Sequence, residues 1–133
     1  MLKLEIVTPE RRVVDVEADS VTVPTASGEA GFLTNHAPLI SALKPGVLYY
    51  SAKGATERLA VSTGFVEVSD NQVSVLTDTA ESPDEIDASQ AKVDREEAER
   101  ELVTNVTAAA DDNAAIKERL DLANARLTLA AGR

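Results

Sequence analysis

His36 is the only histidine in a chain of 133 residues, and there is no cysteine. A single imidazole without a thiolate cannot by itself complete a metal site, a nucleophilic triad or a redox couple. Carboxylates are abundant, 23 against 13 lysines and arginines. Yet there is no Gly-rich phosphate loop, no G-x-S-x-G elbow and no histidine pair beside which one of them would act. No catalytic residue and no metal ligand set is therefore expected. What remains is recognition by charge and shape. Its most ordered expression is Arg119, Arg126 and Arg133, spaced seven apart, which fall in one stripe of a helix turning about 100° per residue. Leu122 and Leu129 keep the same interval just beyond that stripe. Two readings are open: a solvated face with two stray leucines, or a second binding face.

The elements that must carry these residues divide the chain in two. From Met1 to about Thr79 apolar residues recur at period two, as in Leu2-Lys3-Leu4-Glu5-Ile6, Val21-Thr22-Val23 and Val66-Glu67-Val68. Such alternation makes half-buried strands. Turn chemistry punctuates it at Thr8-Pro9, Ser27-Gly28, Pro45-Gly46, Lys53-Gly54 and Ser69-Asp70-Asn71. Many short strands predict an all-β flattened sandwich or barrel of antiparallel strands. Leu39-Ile40 and Val47-Leu48-Tyr49-Tyr50 are apolar on both faces, which predicts a neighbour on the outer side as well as a core on the inner.

After Pro83 neither proline nor glycine occurs until Gly132, and Ala, Glu, Arg and Leu dominate, so this part is helical. Ser82-Pro83-Asp84-Glu85 reads as a capping box and Asp87-Ala88-Ser89-Gln90 as a second cap, one of which starts the helix. Asp111-Asp112-Asn113 predicts a turn, with a second helix from about Asn113 to Ala131. The division is a sandwich at 1–84 and a helical hairpin at 85–133. The hairpin seam, Ala91, Ala98, Leu102 and Val106 against Ile116, Leu120, Ala123, Leu127 and Ala130, is rich in alanine. It buries little apolar surface, at about 25 cal/mol per Å², and opens cheaply. Its first helix is acidic, nine acids against three bases between Glu85 and Asp112, and its second is basic.

A net charge of -10 repels nucleic-acid phosphates and anionic lipid, so neither nucleic acid nor the bare bilayer is an expected partner. Lack of cysteine fits a reducing compartment. Met1 leads straight into the alternating pattern, so no signal, transit or spanning segment is expected.

One long run is specific. Gly28-Glu29-Ala30-Gly31-Phe32-Leu33-Thr34-Asn35-His36-Ala37-Pro38-Leu39, followed by Leu43-Lys44-Pro45-Gly46-Val47-Leu48, resembles the G-E-x-G-x-L-x-x-H-A-P-L and K-P-G-x-L run of F-type ATP synthase epsilon subunits, bacterial or chloroplast. Ile6-Val7-Thr8-Pro9-Glu10-Arg11, Gly64-Phe65-Val66-Glu67-Val68 and Val73-Ser74-Val75-Leu76-Thr77-Asp78-Thr79-Ala80-Glu81 extend the likeness over the whole chain. The resemblance implies a rotor subunit of the central stalk in a proton- or sodium-translocating synthase, non-catalytic, coupling the catalytic head to the c-ring and inhibiting ATP hydrolysis. Its implied partners are the gamma subunit, the c-ring and, through the C-terminal helix, the catalytic beta and alpha subunits.

Residue by residue, the resemblance makes Gly28, Glu29, Ala30 and Gly31 a loop facing the c-ring, and Asn35, His36, Ala37 and Pro38 part of the stalk interface. His36 is read as a structural hydrogen-bonding residue. Arg119, Leu122, Arg126, Leu129 and Arg133 become the inhibitory helix face. Some bacterial members bind ATP through an I/L-D-x-x-R-A motif and paired arginines. Here Asp87 and Arg126 match that pattern, whereas Gln90 and Leu122 stand where cations are needed. Weak or absent ATP binding, and no cofactor, is the expectation. The alternative function is a free-standing nucleotide-sensing or ligand-binding sandwich module, for which two Phe, two Tyr and no Trp offer a poor pocket. The implied location is peripheral, on the cytoplasmic side of the bacterial plasma membrane or the stromal side of the thylakoid.

Overall fold

The computed structural model describes residues 1–104 and 110–131, the side chains of 110–112 excepted. Ten strands occupy the first part: β1 (Leu2–Val7), β2 (Arg12–Ala18), β3 (Ser20–Thr25), β4 (Gly28–Leu33), β5 (Leu39–Leu43), β6 (Gly46–Ala52), β7 (Ala55–Val61), β8 (Gly64–Ser69), β9 (Gln72–Thr77) and β10 (Ala80–Glu81). They pair as one continuous sheet, β10-β7-β6-β3-β5-β8-β9-β1-β2, with β4 hydrogen-bonded to β3. All pairings are antiparallel except β1 with β9. The sheet folds over on itself into a nearly closed β-sandwich, as the alternation predicts.

The inner residues are those that period two selects. Leu2, Leu4 and Ile6 of β1 meet Val66 and Val68 of β8, Val73 and Val75 of β9, Val21 and Val23 of β3, and Leu48, Leu59 and Val61 in one buried cluster. Phe32 and Tyr50 are its aromatic members, so aliphatic burial, each side chain contributing roughly 1.5–3 kcal/mol, supplies the cohesion.

Local chemistry fixes the register. Lys53-Gly54 and Asp70-Asn71 have positive φ at both central residues, which suits tight hairpins to the right-handed twist of their strands. Gly64 sits where an added Cβ would lie 1.8 Å from the Leu76 carbonyl oxygen; only a hydrogen lets β8 begin against β9. Beside it, Thr77 Oγ1 accepts from the Ser62 amide at 3.2 Å, and Ser62 Oγ accepts from the Thr79 amide at 3.0 Å. These bonds tie the β7–β8 turn to the segment leading into β10, where both hydroxyl groups are buried.

Both predicted caps are used, for different turns. Ser82 and Glu85 close a 3₁₀ turn over Pro83–Glu85. Asp87 then accepts from the Gln90 amide at 3.1 Å and starts helix α1 (Ala88–Thr104). Helix α2 runs Ala110–Ala131, which corrects the turn expected at Asp111-Asp112-Asn113. These residues are helical. Asp and Asn have only a weakly unfavourable propensity in a helix, a few tenths of a kcal/mol to about 0.7 kcal/mol each, which tertiary context readily overrides. Val106 of the expected seam lies outside the described residues.

The two helices pack on each other. Ala91, Ala98, Ile116 and Ala123 are buried, while Leu102, Leu120, Leu127 and Ala130 are half-buried. A second stripe of α2, displaced by roughly half a turn, meets the sandwich instead. Ala125 and Leu129 are buried against Ala60 and Ile86, flanked by Val47 and Ala130. Leu129, expected beyond the hairpin seam as a free apolar contact, is only 4% exposed, because the outer face of β6 and β7 covers it.

Candidate interaction faces

Pairing registers resolve the outer surface of the sandwich into transverse rows. On one side Val47 of β6, Ala60 of β7 and Glu81 of β10 stand opposite one another in turn. This row lies under α2. The apolar pair receives Ala125 and Leu129, and the carboxylate receives Arg126, whose Nε lies 2.7 Å from Glu81 Oε1. Arg126 also reaches Asp94 of α1, with Nη1 3.9 Å from Oδ2. One cation thus meets strand, first helix and second helix.

On the other side, Ala42 of β5, Phe65 of β8, Leu76 of β9 and Val7 of β1 form a second row. Among the described residues nothing covers its centre: Phe65 is 58% and Leu76 53% exposed. Ile40, on the same face one row along, is 71% exposed. Pro9 and Thr8 border a shallow, mainly apolar hollow of about 360 Å³ beside Phe65 and Leu76. The expectation that Leu39-Ile40 would have a neighbour on its outer side is thus unmet among the described residues. Large apolar side chains in outward register are a costly exposure, and contiguous patches of this kind mark interaction surfaces.

Gly28, Glu29, Ala30 and Gly31 are a strand, not the expected loop. They pair with Thr25, Pro24, Val23 and Thr22, and the turn preceding them is Ala26-Ser27. The alternation that would mark a strand is hidden because two of the four are glycine. Glu29 is exposed.

Asn35, His36, Ala37 and Pro38 form an exposed connection between β4 and β5. Asn35 has φ 68° and exchanges hydrogen bonds with Asn71: its amide donates to Asn71 Oδ1, and Asn71 Nδ2 donates to Asn35 Oδ1 at 3.2 Å. His36 Nδ1 lies 2.7 Å from the Ala37 carbonyl, and its ring meets Phe32 edge-on at 5.0 Å. The histidine is thus held by local hydrogen bonding and stacking, as expected of a structural residue.

On α2, Arg119 pairs with Glu101 of α1. Leu122 is half-buried with Arg119 and Arg126 about a cleft between the helices, facing Asp94 and Glu97. Arg133 lies outside the described residues. Of the nucleotide pair, Asp87 is occupied by its cap and Arg126 by Glu81, while Gln90, where the motif has a cation, donates to Asp94 at 2.9 Å. Sequence reasoning missed Glu81 and Asp94 as partners of Arg126, and Ala125 as a docking residue. It also missed the open row, although Phe65 sharing the outward parity of Glu67 is a legible sign of it.

With these faces in view, comparison with known proteins is decisive. Residues 1–83 match the family described as ATP synthase, Delta/Epsilon chain, beta-sandwich domain. The chain is 43% identical over 129 residues to the ATP synthase epsilon chain of Anaeromyxobacter dehalogenans strain 2CP-1, covering 97% of both. The chain belongs to the ATP synthase epsilon chain family. An epsilon chain of Desulfitobacterium hafniense strain Y51 is 48% identical over 99 residues, 74% of this chain and 75% of that one. The fold is shared with a chain of the Euglena gracilis mitochondrial ATP synthase OSCP/F1/c-ring assembly, at TM-score 0.79 and 23% identity over 99% of this chain and 81% of that chain. Membership makes this a non-catalytic subunit type. Among the described residues no helix is long and apolar enough to cross a membrane.

The 3₁₀ turn below α2 has a pH signature. The Glu85 carboxyl is held below the ordinary glutamate range, first by the Ser82 backbone amide, then by the Ser82 hydroxyl and the Arg11 guanidinium. A depressed carboxyl stabilises the fold above its unfolded-state value, and this contribution is lost as pH falls through the lower folded-state value. Glu85→Ala is therefore expected to lower stability slightly at neutral pH, by less than about 1 kcal/mol for so exposed a group, and with it the thermal midpoint. The gap from wild type should shrink in acid. Melting curves from neutral to acid pH check this, and a gap that widens in acid refutes it.

Proposed function

We propose that this chain is the rotor subunit that joins the gamma subunit and the c-ring in the central stalk of a proton- or sodium-translocating ATP synthase, and that α2 restrains ATP hydrolysis. The observation that carries the reading is the asymmetry of the sandwich. One outer row is closed by the chain's own hairpin, and the other, Ala42, Phe65, Leu76 and Val7 with Ile40 beside it, has no cover among the described residues. A permanent partner is the physical answer to such a face, and the gamma subunit is the occupant we assign to it. Glu29 and its strand, at the β3–β4 hairpin, are assigned to the c-ring, and Asn35 to Pro38 to the stalk interface. Assembly then belongs to residues 1–84 and regulation to 85–133. The place of action is peripheral, on the cytoplasmic side of a bacterial plasma membrane, in keeping with relatives in Anaeromyxobacter and Desulfitobacterium; the stromal face of the thylakoid is the alternative.

The docking face has a direct test. Phe65→Asp with Leu76→Asp places two charges in the open row without touching the core, and should weaken capture of purified gamma subunit by more than about tenfold, as for hot-spot residues. Binding at wild-type strength by a variant with an unchanged circular dichroism spectrum would remove this row from the interface.

Restraint of hydrolysis needs no reaction at this subunit. It needs only that α2, with Arg119, Leu122, Arg126 and Leu129, and Arg133 after it in sequence, bind one rotary state of the catalytic beta and alpha subunits better than the others. Ending the chain before Ala110 should raise ATP hydrolysis by the assembled complex, measured without a proton-motive force, while assembly persists. Equal rates with and without α2 would end the inhibitory reading.

Nucleotide regulation is assigned no large part. Asp87 and Arg126 are engaged internally, and Gln90 and Leu122 replace two cations, each worth roughly 1.5–3 kcal/mol in a charge-assisted bond. Millimolar ATP should leave the melting temperature of the isolated chain nearly unchanged, since about 2.7 kcal/mol is gained only at 100 times the dissociation constant. A shift of many degrees overturns this.

A further inference from the structure

We infer that Asn71, at the tip of the β8–β9 hairpin, is a positioning residue for the stalk interface: with Asn35 it forms an amide clamp that holds Asn35 to Pro38 in the shape a partner meets. The clamp follows from geometry alone; its bearing on docking rests on the proposed assignment of residues 35–38 to the stalk.

Asn35 and Asn71 stand 36 residues apart in the chain, yet both have left-handed backbones, φ 68° and 58°. A residue with a Cβ enters that region at a cost, which asparagine commonly lessens by a hydrogen bond to its own neighbourhood. Here the two side chains turn to each other instead. The Asn35 amide donates to Asn71 Oδ1, and Asn71 Nδ2 donates to Asn35 Oδ1 at 3.2 Å. The Asn71 backbone is fixed as well, its carbonyl accepting from the Lys3 amide at 2.9 Å. One residue therefore ties together the hairpin tip, the start of β1 and the β4–β5 connection.

The connection has little else to order it. Its other bonds are local: the His36 amide donates to the Leu33 carbonyl at 3.2 Å, and the imidazole meets the Ala37 carbonyl and the Phe32 ring. Pro38 restricts itself and Ala37 before it. All four residues are exposed, so burial does not hold them. Among the described residues, no other hydrogen bond joins this connection to a distant part of the chain. Without the clamp, each encounter with a partner would have to order the connection anew, and that entropy would be subtracted from affinity. Asn71 thus acts on docking through Asn35, without a contact of its own to the partner.

Glycine adopts the left-handed region freely, so Asn71→Gly removes the clamp and keeps the hairpin turn. In the full-length chain, amide hydrogen exchange followed by NMR should show the Asn35 N–H exchanging roughly five- to tenfold faster in Asn71→Gly, the order of one lost hydrogen bond. Amides in the middle of β8 and β9 serve as the fold control and should not change. Asn71→Asp should retain the protection, because a carboxylate accepts from the Asn35 amide and from the Asn35 carboxamide once that group flips. Unchanged exchange at Asn35 in Asn71→Gly overturns the clamp. Equal acceleration in β8 and β9 also overturns it, since Asn71 would then be holding the sandwich itself.

Capture of purified gamma subunit should weaken several-fold in Asn71→Gly. Ala37→Arg, exposed and outside the clamp, obstructs the same face directly and separates the two ways of failing. Loss of capture in Ala37→Arg with parental capture in Asn71→Gly would keep the interface and overturn the positioning role. Parental capture in both would remove residues 35–38 from the stalk interface, and the positioning role with them.

Discussion

Side chains on a strand alternate between the two faces of the sheet, and hydrogen-bonded neighbours stand in register. Every consequence in this molecule descends from that constraint. Inward positions fill one aliphatic core running from Leu2, Leu4 and Ile6 to Val73 and Val75. Outward positions are then grouped by the ladder into rows that no single strand contains. Two rows are apolar: Val47 with Ala60, and Ala42 with Phe65, Leu76 and Val7. The core makes the sandwich; the rows decide what lies against it. A shift of one residue in any pairing would turn Phe65 or Ala60 inward and erase the row it serves.

The two rows differ in strength, and the difference suits their occupants. Val47 and Ala60 are short, so the hairpin over them is held by modest burial and one directed ion pair. Phe65 and Leu76 are long, and offer a partner far more area to bury. At about 25 cal/mol per Å², the second row suits a lasting attachment and the first a reversible one.

Charge follows the same economy. The chain carries a large negative excess, and three of its arginines sit where elements meet: Arg11 with Glu85 at the 3₁₀ turn, Arg119 with Glu101 across the hairpin, Arg126 with Glu81 and Asp94 at the junction of strand and helices. Surrounded by acids, an arginine released from one carboxylate finds another nearby.

The sequence by itself determined the fold class, the two-part organisation, the composition of the inner core, the caps at Ser82 and Asp87 and the resemblance to epsilon subunits, because each is written in local periodicity or in a contiguous run. It also placed the hairpin seam, since residues three and four apart meet on a helix whatever surrounds them. It mistook Gly28–Gly31 for a loop because glycine has no side chain to display alternation, and Asp111–Asn113 for a turn because good caps and tolerated first-turn residues are the same types. Only the tertiary structure decided what Leu129 touches, which carboxylate holds Arg126 and which outer row stays bare. Glu81 and Arg126 stand 45 residues apart, and Ala42, Phe65, Leu76 and Val7 come from four strands. No local period links such residues: strand register and the packing of α2 create the contacts, and these are properties of the assembled chain.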